Sequence, residues 1–150
     1  MSVKFIPDGY HTITPYLIVD HVDKLDQLVE FLEAAFNATE KECVRNKDGR
    51  REHSNMQIGD SLVMLGYGPD VSGGAKAMLY LYVEDTDAMY HQAIKAGATS
   101  LMEPVDQFYG DRNAGVEGPC GHKWWIATHK EDLSPEELEK RAQAYYQEKS

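Results

Sequence analysis

The sequence predicts an α+β fold made from two copies of one β-α-β-β-β module. Three observations predict it. The motif Tyr16-Leu17-Ile18-Val19-Asp20 returns as Tyr80-Leu81-Tyr82-Val83-Glu84, and Asp23 is echoed by Asp87. Each copy is followed by helical periodicity ending in Asn37-Ala38-Thr39 or Gly97-Ala98-Thr99. Three short strand-like segments then follow each helix. A repeat this long marks a duplicated supersecondary unit rather than a solenoid of short repeats. Two facing modules enclose a cleft, and function is expected there.

Thr12 to Val19 is rich in β-branched and aromatic residues and reads as the first strand. Leu25, Leu28, Val29, Leu32 and Phe36 recur at three- and four-residue spacing, one apolar helical stripe over 23–36, with Asp23 as its cap. Strands are expected at Lys41–Arg45 and Glu52–Ile58 around the turn Asn46-Lys47-Asp48-Gly49-Arg50. Gly59-Asp60 turns into a strand at Ser61–Tyr67 and completes module 1–67. The Gly-, Pro- and Ser-rich stretch 68–76 reads as a linker. In the second module, 77–130, Ala77–Val83 is a strand and Thr86–Ala96 a helix, with Thr86 at its N-cap and Gly97 just past its end. Strands follow at Thr99–Pro104, Asn113–Glu117 and Lys123–Thr128, the last after the turn Gly118-Pro119-Cys120-Gly121. In 131–150, Ser134-Pro135-Glu136-Glu137 opens a charged final helix: Ser caps, Pro takes the first turn, and Glu137 completes a capping box.

Composition narrows the function classes. Hydrophobic residues are 42% of 150, enough for a core. The formal charge of −10, from 25 acids and 15 bases, repels phosphate backbones and anionic membranes. No nucleic-acid or membrane partner is expected. No segment reaches the ~18 apolar residues of a membrane span, and the first residues lack a signal-peptide pattern. Cys43 and Cys120 lie far apart without CxxC spacing, which argues against a disulfide scaffold. The expectation is a soluble cytoplasmic protein.

Strand alternation divides the side chains between two faces. Leu17, Val19, Val63, Leu65, Leu79, Leu81 and Val83 are assigned to the helix-facing core. Thr14, Tyr16, Ile18, Leu62, Met64, Met78, Tyr80, Tyr82 and Trp125 are assigned to the opposite, concave face. On the third strand His53, Asn55 and Gln57 reach the same cleft. An apolar, aromatic cleft rimmed by a few hydrogen-bonding groups suits a small, partly aromatic molecule. Such residues equally serve as filler between two half-barrels. In Tyr109-Gly110-Asp111-Arg112, Arg112 is a candidate anion binder, with a loop-stabilising role as the plain alternative. Cys120, in its Gly-rich turn, is a candidate exposed thiol with no neighbour in sequence that lowers its pKa.

Nearly the whole chain resembles the vicinal oxygen chelate superfamily, which includes glyoxalase I, bleomycin-resistance proteins and extradiol dioxygenases, and within it the PhnB-like branch. The residues that carry the resemblance are Pro15-Tyr16-Leu17-x-Val19, Phe31-Leu32-x-x-Ala35-Phe36, His53-Ser54-x-Met56-x-Ile58-Gly59-Asp60-Ser61-Leu62-Val63-Met64-Leu65, Phe108-Tyr109-Gly110-Asp111-Arg112, Gly121-His122-Lys123-Trp124-x-Ile126-Ala127-Thr128-His129 and Asp132-Leu133-Ser134-Pro135-Glu136-Glu137-Leu138. The branch usually has Asp-Pro-Phe-Gly where this chain has Gly118-Pro119-Cys120-Gly121, which keeps the turn and loses the acid and the aromatic.

The resemblance also implies four metal-ligand positions, filled in metal-using relatives by His, Glu or Gln. By strand register these are Thr14, Met64, Met78 and Trp125. None is a ligand for a hard or borderline cation, and shifting any by one residue yields only apolar residues. No metal and no cofactor are therefore expected. The six histidines form no HExxH or comparable pair. The implied function is a metal-free protein binding a small organic molecule through Thr14, Tyr16, His53, Met64, Met78, Tyr80, Arg112 and Trp125, with a second copy as partner in a homodimer. The alternatives are a lyase, isomerase or dioxygenase using a displaced metal or acid–base chemistry at His53 or Tyr16, and a structural or regulatory partner protein.

Overall fold

In a computed structural model that describes residues 3–67 and 76–149, both modules form. The first comprises β1 (Tyr16–Val19), α1 (Val22–Phe36), β2 (Thr39–Arg45), β3 (Arg51–Ile58) and β4 (Ser61–Tyr67). The second comprises β5 (Met78–Tyr82), α2 (Thr86–Lys95), β6 (Thr99–Asp106), β7 (Asp111–Glu117) and β8 (Lys123–His129), followed by α3 (Pro135–Lys149). The linker stretch 68–75 lies outside the described residues.

Each module closes its own four-stranded mixed sheet, in the orders β1-β4-β3-β2 and β5-β8-β7-β6. The first strand of each module runs parallel to the last, pairing Tyr16 with Met64 and Tyr80 with Trp125. The helix in between makes that parallel return possible, since parallel strands need a long crossover.

The helices cover one face of each sheet and pack on each other. Gln92 of α2 donates to the carbonyls of Ala34 and Ala35 at the end of α1. One shared core results, with Leu17, Val19, Leu25, Leu28, Leu32, Val63, Leu65, Val116, Trp124 and Ile126 all buried. Its bridge between modules is aromatic: the rings of Phe36 and Trp124 are 5.0 Å apart. Truncating such a ring to alanine typically costs ~3–5 kcal/mol.

Several local details depart from the sequence expectations. β1 begins at Tyr16 rather than Thr12. Pro15 has no N–H to enter a ladder, and its carbonyl makes the first bond, accepting from Met64 N at 2.9 Å. The cap of α1 is His21, whose Nδ1 accepts from Asp23 N at 3.2 Å, while the Asp23 carboxylate pairs with Arg50. The cap of α2 is Asp85, accepting from Ala88 N at 3.1 Å. Thr86 Oγ1 instead donates to Arg112 O at 2.9 Å. In α3, Ser134 Oγ accepts from Glu137 N at 3.1 Å, but the Glu137 carboxylate goes to Arg141 rather than back to the cap. Cys120 is buried, and burial pushes its thiol pKa up, so it is not an exposed nucleophile.

The uncovered face of each sheet carries a large aromatic lying across a glycine. Tyr16 crosses Gly66 and Trp125 crosses Gly115; a Cβ on Gly115 would sit 2.6 Å from the Trp125 ring. Gly115→Ala is therefore expected to lift the Trp125 ring and to cost about 1–3 kcal/mol. Urea unfolding together with tryptophan emission checks this; an unchanged midpoint and spectrum would show that the ring is not seated there.

Candidate functional site

Alternation places the two adjacent tryptophans on opposite faces of β8. Trp124 is 1% exposed, in the core, whereas Trp125 is half-buried on the uncovered face. Trp125 shares its face with Met78, Tyr80 and Tyr82, and the uncovered face of the other sheet carries Tyr16; their exposed surfaces are 60%, 39%, 65% and 50%. Apolar and aromatic surface left this open within one chain is a feature of binding faces. The sheet of the first module brings together Tyr16, His53 and Met64, with Thr14 half-buried just before β1. The sheet of the second module brings together Met78, Tyr80 and Trp125.

Arg112 lies elsewhere. The residues flanking it in β7, Asp111 and Asn113, hydrogen-bond across the uncovered face, so Arg112 points to the helix side. Its guanidinium grips Asp87 at the start of α2 through two bonds of 3.0 and 2.9 Å and also reaches Asp106 at 3.2 Å.

On the second module's uncovered face, Asp111 is the centre of a polar network. Its carboxylate is almost fully buried and accepts from Tyr80 OH at 2.7 Å, Tyr82 OH at 3.0 Å and His129 Nδ1 at 2.9 Å. Burial pushes this carboxyl up, but the bonds from His129, Tyr80 and Tyr82 outweigh burial and leave it below its ordinary value. Burial, with Asp111 alongside, raises Tyr80 and keeps it a donor. Asn113 Nδ2 donates to the hydroxyls of Tyr80 at 3.0 Å and Tyr109 at 2.8 Å.

The first module's uncovered face has a different chain of bonds. Tyr16 OH lies 3.1 Å from His53 Nδ1, His53 Nε2 lies 2.7 Å from Asn55 Oδ1, and Asn55 Nδ2 donates to Glu42 at 2.7 Å. A β-bulge in β2 sets this chain up. Glu40 pairs with Met56 and Glu42 with Asn55, so one extra residue, Lys41, puts the two glutamates on opposite faces. Glu40 turns to the helix side, binding Arg51 and Ser54, and Glu42 turns to the uncovered face. Sequence alternation signalled His53 and Asn55; the bulge hid Glu42.

A groove of about 790 Å³ lies on the helix side of β5, between that edge and the β3–β4 turn. Pro15, Phe36, Ile58, Val63, Leu79, Leu81, Val83, Met89 and Trp124 line it. It is a seam between the two halves of the core, and Tyr80 and Tyr82 also border it.

Thr14, Met64, Met78 and Trp125, the positions to which the family resemblance assigns metal ligands, offer a hydroxyl, two thioethers and an indole, a donor set that does not fit a divalent ion. Among the described residues no group of three or more His, Cys, Asp or Glu side chains is arranged to hold one. Among them, too, no helix is long and apolar enough to cross a membrane.

The paired modules agree with comparison against known proteins. The sequence profile of the Glyoxalase/Bleomycin resistance protein/Dioxygenase superfamily matches residues 18–126. The chain belongs to this superfamily. It is 30% identical over 138 residues to the uncharacterized protein Mb0911c of Mycobacterium bovis, covering 85% of this chain and 89% of that protein. Among solved structures, TioX from Micromonospora sp. ML1 superposes with a TM-score of 0.66 at 21% identity, over 78% of this chain and 98% of its own. The fosfomycin resistance protein FosX from Mesorhizobium loti superposes with a TM-score of 0.59 at 18% identity, over 85% of this chain and 97% of its own. These structural likenesses establish the fold.

The His129 clamp has a pH signature. The hydrogen bond to Asp111, then that to Asp132 at 2.7 Å, raises the His129 pKa above its ordinary value. A group raised on folding stabilises fully below its unfolded pKa, ~6.5 for histidine, and loses that contribution as pH rises through the folded value. His129→Gln is expected to lower the melting temperature most below about pH 6.5, with the gap from wild type closing as pH rises. A gap that widens with pH contradicts the clamp.

Proposed function

We propose that this superfamily member is a PhnB-like, metal-free cytoplasmic protein. It binds a small, partly aromatic organic molecule between the uncovered sheet faces of two copies of the chain. The observation that carries the reading is the open aromatic surface of both sheets, which also carries polar groups: Tyr16 and His53 in one module, the Tyr80 and Tyr82 hydroxyls in the other. Apolar walls with a few placed hydrogen-bonding groups are the usual make-up of small-molecule sites. The YGDR and GHKW motifs support the PhnB-like branch, and the unsuitable donor set supports the absence of a resident metal. Two free cysteines, one of them buried, suit a reducing compartment.

The core groove beside β5 is the competing location. Its apolar residues, among them Phe36, Val63, Leu81 and Trp124, stand with the polar Asn37, Asp60 and Ser61, and Tyr80 and Tyr82 also border it. The adjacent tryptophans distinguish the two, since Trp124 lines the groove and Trp125 the uncovered face. Small aromatic and amphiphilic compounds are expected to quench or blue-shift the emission of wild type. The response disappears in Trp125→Phe and survives in Trp124→Phe. A response that follows Trp124 moves the site to the groove, and no response to any compound contradicts the binding reading.

A second reading, a metal-free enzyme of the same superfamily, is favoured by one observation: the bonded chain from Tyr16 through His53 to Glu42.

A further inference from the structure

The hydrogen-bonding capacities along that chain fix its direction. A carboxylate only accepts, so Asn55 must present its Nδ2 to Glu42. The amide oxygen of Asn55 then faces His53, and His53 must donate from Nε2. In the neutral ring this leaves Nδ1 as a lone pair, aimed at the Tyr16 hydroxyl 3.1 Å away. Tyr16 therefore turns its proton toward His53 and its oxygen lone pairs toward open space, on a residue half exposed. Asn55, at 4% exposure, is held in this orientation by packing as well as by Glu42.

The arrangement depends on Gly66. Tyr16 stands on β1 and His53 on β3, with β4 between them, so the ring must cross β4. It does so over Gly66, which is paired with both Ile18 and His53. A Cβ there would lie 2.5 Å from the Tyr16 oxygen. In the second module Tyr80 and Tyr82 donate instead to Asp111, a carboxylate that also accepts from His129.

From this oriented chain we infer that Tyr16 is a catalytic proton acceptor, with His53 as the group that positions it and takes its proton, acting on a small apolar substrate with an acidic C–H bond. Tyr16 Oη takes the substrate proton as its own proton passes to His53 Nδ1; the electron pair of the broken C–H bond goes to the neighbouring carbon or heteroatom. The resulting imidazolium returns its proton to water. Asn55 and Glu42 hold the ring through this transfer. The inference rests on the reading that the uncovered face takes the ligand.

5-Nitrobenzisoxazole tests it. Removal of its ring C–H proton sends the electron pair into a nitrile as the N–O bond breaks, releasing a coloured phenolate and needing no co-reactant. A positioned base contributes ~10²–10⁴-fold, so wild type should accelerate the reaction. Tyr16→Phe, His53→Gln and Gly66→Ala should each reduce the protein-dependent rate at least about tenfold, on the low side of that range. Gly66→Ala is the most telling variant: the group it displaces is the far end of a flexible side chain, so the fold and both reactive residues remain and only their contact is lost. Quenching of Trp125 by the probe should persist in all three. Nitrogen-15 spectra of the histidine rings should show His53 protonated at Nε2 and bare at Nδ1. Binding with turnover unchanged by these substitutions, or a proton on Nδ1 of His53, overturns the relay and leaves the binding reading intact. Failure of the probe to quench Trp125 in wild type removes the uncovered-face site, and the relay with it.

Discussion

The two-residue period of β8 at Trp124-Trp125 is the constraint on which the rest of this structure depends. One indole must enter the core and the other must leave it. Trp124 goes inward, meets Phe36 and joins the cores of the two modules. Trp125 is thereby committed to the far face, where only a glycine, Gly115, leaves room for it to lie flat. A slip of one residue would exchange every inward and outward side chain on the strand. The core and the candidate site are consequences of the same register.

The duplication supplies two similar platforms that have diverged in chemistry. Both seat an aromatic ring on a strand glycine and both leave apolar surface open. In the second module the polar groups satisfy one another around Asp111, a closed arrangement that organises the sheet rather than offering a reactive atom. In the first, a bulge at Lys41 brings Glu42 under Asn55 and leaves a histidine lone pair directed at an exposed phenol. On the proposed reading, this asymmetry gives one wall that holds an aromatic molecule and one that accepts a proton from it.

The modular plan was legible in the sequence because two strong periodicities alternate and then repeat. The sorting of Leu17, Val19, Val63, Leu65 and Trp124 to the core, and of Tyr16, Met78, Tyr80 and Trp125 to the other face, needed only strand alternation. What was not legible depends on contacts between segments remote in sequence. His21 and Asp85 displace Asp23 and Thr86 as caps because Arg50 and Arg112 O engage the latter two. Arg112 falls on the helix side, where Asp87 and Asp106 meet it. Glu42 joins His53 only through the bulge, and Gly66 matters only because β4 separates Tyr16 from its partner. Composition could not locate the core groove beside β5 either, since it arises from how the modules meet.

In the proposed function two copies of the chain cover each other's open sheet faces. A stable interface usually buries at least ~1,000 Å², and the exposed Tyr16, Met78, Tyr80 and Tyr82 supply apolar anchors for one. Sedimentation equilibrium at tens of micromolar, roughly the range in which such interfaces persist, tests this directly. Wild type should sediment at twice the chain mass of 16.9 kDa, and Met78→Glu, which sets a charge on the open face, should shift the population toward single chains. Wild type that sediments as a monomer throughout, or a dimer indifferent to Met78→Glu and to a matching Tyr82→Glu, would contradict the account.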